Sequence, residues 1–192
     1  MKTINMKNIM KVLTNIVKHF NEENIHFAVG GSVLLHHHCV VNRVNDIDLF
    51  IDPTDIIKAK MIMDQIAYPM PIKKNDTFAS DYFYTYIYEG ISVDLVSQFK
   101  IIKDKSYHYP FDKQTKIEYG YYESVKVPFM CLEDWVVLYY IMDYPMDKQR
   151  ALINHINNHG IKNHEQFNKT LNLLNKKDQL VILNNLNIKE VF

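Results

Sequence analysis

Residues 27 to 52 read FAVGGSVLLHHHCVVNRVNDIDLFID and carry two carboxylates, Asp46 and Asp48, one position apart in an otherwise apolar run. In an extended strand such residues point to the same side, with Cα atoms about 6.6 Å apart. Ile47, Leu49 and Ile51 then take the opposite side and anchor the strand in a core. Carboxylates that converge on one surface repel each other unless a cation lies between them. All-oxygen ligation, with no accompanying Cys or His cluster, favours Mg2+ or Mn2+ over zinc. Because Mg2+ is usually held by few carboxylates together with substrate phosphates, a phosphate-bearing substrate is implied. The upstream pair Gly30 and Gly31 supplies the complementary half. A glycine turn that opens a helix lets backbone approach a ligand, and the free N–H groups at a helix start attract phosphate oxygens. Ser32 adds a hydroxyl. A third carboxylate, Asp94, interrupts the apolar run GISVDLVS between Val93 and Leu95, and it too requires a partner.

The flanking sequence shows which elements must hold these groups. Ile9, Met10, Leu13, Ile16, Val17 and Phe20 recur at three- and four-residue intervals, which predicts an amphipathic helix ending near NEEN. IHFAV is a short strand, GGS breaks it, and VLLHHH resumes a helical pattern, so the unit is strand, tight turn, helix. DIDLFI is the next strand. DPTD then predicts a helix start, with Asp52 as N-cap, Pro53 at the first helical position and Asp55 in the first turn, running to about Ile66. YPMP stops that helix, and DYFYTYIYEGISVDLVS predicts an antiparallel hairpin around Glu89 and Gly90. A further strand is expected near SVKVPF, and from Leu132 onward four successive segments are helical in pattern. The expected fold class is α/β (α+β), a mixed sheet flanked by helices over residues 1–130 with a C-terminal helical region over 131–192.

The order of strand, Gly-Gly-Ser, helix, acid-apolar-acid strand and third strand acid resembles the nucleotidyltransferase superfamily of the polymerase-β type. Over roughly residues 8 to 96 it is most similar to the small lincosamide and aminoglycoside nucleotidyltransferases and to nucleotidyltransferase partners of toxin–antitoxin systems. The resemblance implies a nucleotidyltransferase-like mixed sheet. It also implies transfer of a nucleoside monophosphate from a nucleoside triphosphate such as ATP to a hydroxyl acceptor, with release of pyrophosphate. The acceptor is left open between a small molecule such as an antibiotic and a protein or RNA. By the same resemblance Gly30, Gly31 and Ser32 contact the triphosphate, Asp46 and Asp48 bind metal, and Asp94 binds metal and activates the nucleophile. The implied cofactor is Mg2+, as two ions about 4 Å apart, with Mn2+ as an alternative. Relatives often carry a lysine and an arginine-containing loop in the helix after LED, where this chain has Tyr139, Tyr140 and Pro145. A non-catalytic nucleotide-binding or antitoxin-like module of the same fold is the alternative reading; retention of all three acids favours the enzyme.

Arg43, just before NDID, reads equally as a phosphate contact or a solvated loop charge. Histidines 36 to 38 face different directions on a helix and do not chelate jointly. His155 and His159 stand four apart, a zinc-compatible spacing without the glutamate of a metalloprotease motif. Tyr82, Tyr84, Tyr86 and Tyr88 share one strand face, which offers either a stacking platform or core packing. Lys plus Arg and Asp plus Glu are 22 each, so no global positive field calls for a nucleic-acid partner. Cys39 and Cys131 form no metal or redox spacing, and no run is long enough to cross a membrane. A soluble chain in a reduced cytoplasmic setting is expected.

Overall fold

The computed structural model describes residues 6–71 and 77–188. Helix α1 (Met6–Glu22) buries Ile9, Leu13, Ile16, Val17 and Phe20, the stripe predicted by their spacing, while Met10 lies at its edge. Strand β1 (Phe27–Val29) leads through Gly30 into the short helix α2 (Gly31–His37). Strand β2 (Ile47–Ile51), helix α3 (Ile56–Ile66) and the two-residue β3 (Tyr68–Pro69) follow. The hairpin of β4 (Tyr82–Tyr88) and β5 (Ile91–Ser97) turns at Glu89 and Gly90, both with positive φ. β6 (Phe99–Ile102) pairs with β7 (Ser106–Tyr109) in a separate two-stranded sheet. A second hairpin of β8 (Ile117–Tyr122) and β9 (Val125–Met130) precedes α4 (Leu132–Ile141), α5 (Met146–His159), α6 (His164–Leu171) and α7 (Lys176–Asn185).

The main sheet is mixed, as expected, with strand order β3-β4-β5-β2-β1-β9-β8. β2 runs parallel to β5 and β1 parallel to β9, while the remaining neighbours are antiparallel. Strand parity divides its two faces. Ile47, Leu49, Val93 and Leu95 are fully buried on the side covered by α1 and α3. Asp48, Phe50, Asp94 and Val96 point to the other side, where α2 and α4 pack.

Four features depart from the sequence expectations. Helix α3 begins at Ile56 rather than Pro53 and is not capped by Asp52. Asp52 instead accepts bonds from the Thr54 N–H and hydroxyl and from the Lys113 N–H, which ties it to the loop before β8 and delays the helix by about a turn. Asp55 likewise turns outward from the helix to accept the His26 N–H. YPMP does more than stop α3: Tyr68 and Pro69 form an edge strand on β4, where proline is tolerated. Finally, β6, β7 and β8 are strands that the sequence pattern did not single out.

A buried acid fastens α4 to α6 and to β7 of the small sheet. Asp134, in the first turn of α4, is fully buried and accepts hydrogen bonds from Tyr109 (2.6 Å), Gln166 (3.1 Å) and Thr170 (2.5 Å). Burial pushes its carboxyl up to about 7, against the pull of those three donors. The folded state therefore holds this proton more tightly than the unfolded state does. Its contribution favours folding at low pH and is lost as pH rises from the ordinary carboxyl range through about 7. Asp134→Ala strands buried donors and is expected to lower stability by about 3 kcal/mol in urea unfolding. Asp134→Asn is expected to flatten the pH dependence of stability across that range.

Candidate active site

Neighbouring strands bring the three acids together. Asp48 of β2 is the direct register partner of Asp94 of β5, and Asp46 lies two residues earlier on the same side. One ligand oxygen from each of the three lies within 4.8 Å of the others. Burial pushes all three carboxyls up. The rise is largest at Asp48, where the charges of Asp46 and Asp94 add to burial. Ser32 opposes it at Asp46, and the Thr85 side chain, across the strand pair, opposes it at Asp94. Asp94 Oδ1 is buried without a hydrogen-bond partner. An orphaned oxygen beside two further carboxylates fits a divalent cation that prefers hard oxygen ligands.

The glycine turn divides its labour. Gly31 has φ +56°, and a Cβ there would fall 1.7 Å from Asp48 Oδ2, so only glycine allows the helix start and the carboxylate to meet. Gly30 is not at the pocket surface. Its N–H donates to the Asp48 carbonyl at 2.9 Å, and a Cβ would fall 2.6 Å from the Trp135 ring and 2.8 Å from that of Phe50. Ser32 Oγ donates toward the Asp46 carbonyl and carboxylate at 3.2 and 3.3 Å and accepts the Asn45 N–H at 3.2 Å. The hydroxyl thus locks the loop that carries the first acid to the start of α2.

Asp46, Asp48, Asp94, Gly31 and Ser32 line one cavity of about 210 Å³. Its remaining wall is mostly aromatic, completed by Asn45, Val96 and Met142. Phe50 and Trp135 meet edge to face at 6.0 Å, Phe50 and Phe99 at 5.3 Å, and Tyr139 stacks on Tyr144 at 4.1 Å. Sequence reasoning missed this wall, although a signal existed: Phe50 shares the parity of Asp46 and Asp48, and Trp135 and Tyr139 stand four apart on α4. Arg43 is exposed and does not line the cavity, which leaves the lining without lysine or arginine among the described residues. Lys148 of α5 has a charge that favours ionised Asp46, and its Nζ lies 3.5 Å from the hydroxyl of Tyr144, a cavity-lining residue.

The tyrosine row lies on the opposite face of the sheet. Tyr84 and Tyr86 pair with Leu95 and Val93, Tyr86 donates to Asp64 of α3 at 2.7 Å, and Lys60 of α3 lies over Tyr84. The row packs against α3, and Phe83, one residue out of step, lines the cavity. The three adjacent histidines diverge: His36 bonds the Val41 carbonyl, and His37 stacks on Phe129 and bonds Tyr122. His155 and His159 stack on each other, with His159 Nδ1 within 2.8 Å of the His155 carbonyl.

No protein-family model matches the chain, and neither does any curated protein sequence. Solved structures do match. A candidate nucleotidyltransferase from Thermotoga maritima superposes with a TM-score of 0.58 at 18% identity, covering 89% of this chain and 97% of that one. The lincosamide antibiotic adenylyltransferase LnuA, in its lincomycin-bound form, gives 0.55 at 13%, covering 80% and 98%. ANT(2″)-Ia in complex with adenylyl-2″-tobramycin gives 0.52 at 13%, covering 94% and 97%. With its order of strands, its glycine turn and its paired strand acids, the chain has the nucleotidyltransferase fold.

Proposed function

We infer that the protein is a Mg2+-dependent nucleotidyltransferase that moves a nucleoside monophosphate from a nucleoside triphosphate to the hydroxyl of a small molecule, releasing pyrophosphate. The observation that carries this reading is the convergence of Asp46, Asp48 and Asp94 beside the Gly31–Ser32 turn. Asp46 and Asp48 would hold the ions, with Asp94 completing the set. Two bound Mg2+ ions, or Mn2+, would neutralise the triphosphate and lower the pKa of the attacking hydroxyl. Asp94 Oδ1, which has no hydrogen-bond partner, would accept the acceptor's proton. Gly31 and Ser32 line the same cavity and would orient phosphate oxygens through the Ser32 hydroxyl and the backbone at the start of α2. Lys148 at the rim would add the positive charge that Arg43 does not bring to the cavity. The aromatic wall excludes water from one side and offers flat surfaces to a base or to a ring-bearing acceptor.

A small acceptor is supported by the modest volume of the cavity, and by neighbours of the same fold bound to lincomycin and to adenylylated tobramycin. Among the described residues no helix is long and apolar enough to cross a membrane, which is compatible with a cytoplasmic setting. The test is incubation with each labelled nucleoside triphosphate, Mg2+ and a panel of aminoglycosides and lincosamides, following pyrophosphate and product mass. The expected result is pyrophosphate release that requires an acceptor, with a nucleotidylated product. Failure of every triphosphate to bind by calorimetry, with no pyrophosphate released, would remove the reading.

A further inference from the structure

We propose that the protein carries a second metal site, of the zinc class, built from His38, Glu118, Cys131 and Glu133 on the side of the sheet where α2 meets α4. Four elements converge there. His38 closes the C-terminus of α2, Glu118 lies on β8, Cys131 is the N-cap of α4, and Glu133 is in that helix's first turn. Ligand atoms of Glu118, Cys131 and Glu133 lie within 4.8 Å of one another. His38 Nε2 stands 3.6 Å from Glu118 Oε2. That spacing is long for a hydrogen bond and close to the separation of about 3.4 Å between two donors on one tetrahedral zinc.

The polar atoms at this spot lack partners. Glu133 is 2% exposed and the His38 side chain 9%, yet Glu133 Oε2 and His38 Nε2 have no hydrogen-bond partner. The remaining carboxylate oxygens are already fixed. Glu133 Oε1 accepts the Lys162 and Asn163 N–H groups, and Glu118 Oε1 accepts from the Asn163 side chain at 2.6 Å. Each carboxylate is thereby oriented by one oxygen and keeps the other for a ligand, the outer-shell arrangement that metal sites use. His38, Glu118 and Glu133 line, among others, a cavity of about 10 Å³ with His155, His159 and Lys162, and Cys131 lies beside the two carboxylates outside that lining. The cavity is about the size of one small ligand. Lys162 lines this cavity and its charge favours ionised Glu118, but among the described residues neither carboxylate has a lysine or arginine ion-pair partner. An imidazole, a thiol and two carboxylates are a borderline-soft set that selects zinc over magnesium. Binding would release the Cys131 thiol proton, now donated to the Lys116 carbonyl, to solvent. The ion would pin α2, β8, α4 and the loop before α6 to one point, separate from the acid cluster.

The test uses chelator-stripped Asp48→Asn protein, so that the acid cluster does not obscure the count. Calorimetric titration with Zn2+ is expected to give one tight site per chain, with a raised melting temperature. His38→Ala and Glu118→Gln, checked for parental circular dichroism and metal-free melting, are expected to weaken it more than about 100-fold, beyond what loss of an outer-shell partner costs. Co2+ loading should give a thiolate charge-transfer band that Cys131→Ser abolishes. No zinc uptake by the parent, unchanged affinity in both ligand variants, or Co2+ binding without the band would each overturn the four-ligand site.

Discussion

Asp48→Asn is expected to cut nucleotidyl transfer by about a thousandfold or more while raising the melting temperature of the metal-free protein. The loss follows from removing the central carboxylate of the cluster, because metal stabilisation of a phosphoryl transition state is worth several kcal/mol. The gain in stability follows from the charge environment. Asp48 is pushed well above its ordinary value by burial, then by Asp46 and Asp94. The folded protein therefore binds this proton more tightly than the unfolded chain. In metal-free protein the stabilisation is present at low pH and is lost as pH rises from the ordinary carboxyl range through the folded value. A neutral amide removes the repulsion at neutral pH. Mg2+ should do the same for the wild type: at a hundred times its dissociation constant it would add about 2.7 kcal/mol. For a chain of this size that is a rise of roughly 5–10 °C. The variant should show little of that rise. Thermal melts with chelator and with Mg2+, beside a pyrophosphate assay, read all three effects; a variant that melts lower without metal, or still transfers, contradicts the shared-cation account.

Gly31→Ala tests the other half of the site. The substitution places a methyl 1.7 Å from Asp48 Oδ2 at a backbone φ of +56°. Neither partner yields easily: the clash is with a carboxylate on a central strand, and left-handed backbone is itself unfavourable for alanine. A cost of about 1–3 kcal/mol is expected, seen as a melting temperature lower by roughly 3–10 °C. Transfer should fall to background, because whichever group moves, the acid and the glycine turn separate. Activity retained in a stable Gly31→Ala protein would mean that the contact between turn and acid is dispensable.

Much of this arrangement was legible along the chain because strand parity is a local rule. Asp46, Asp48 and Asp94 each sit among apolar residues that must face a core, so the acids had to face away from it. The amphipathic spacing of α1 and the Glu89–Gly90 turn are local in the same sense. Other features were hidden by competing contacts. Asp52 has the chemistry of a helix cap, yet it bonds Lys113 from a loop sixty-one residues away. The tyrosines of β4 suggest a stacking platform, yet the register of β4 against β5 puts them under α3 and gives Phe83 to the cavity.

The sequence by itself determined that this chain sets acids on and beside apolar strands, facing away from the core, after a glycine turn, because periodicity and backbone permissiveness act between near neighbours. Tertiary structure alone decided that Asp48 and Asp94 are register partners, that aromatic residues from β2, β4, β6 and α4 enclose them, and that Cys131 lies beside Glu118 and Glu133. Those proximities arise from strand order and helix packing, which join residues far apart in the chain and leave no fixed spacing within it.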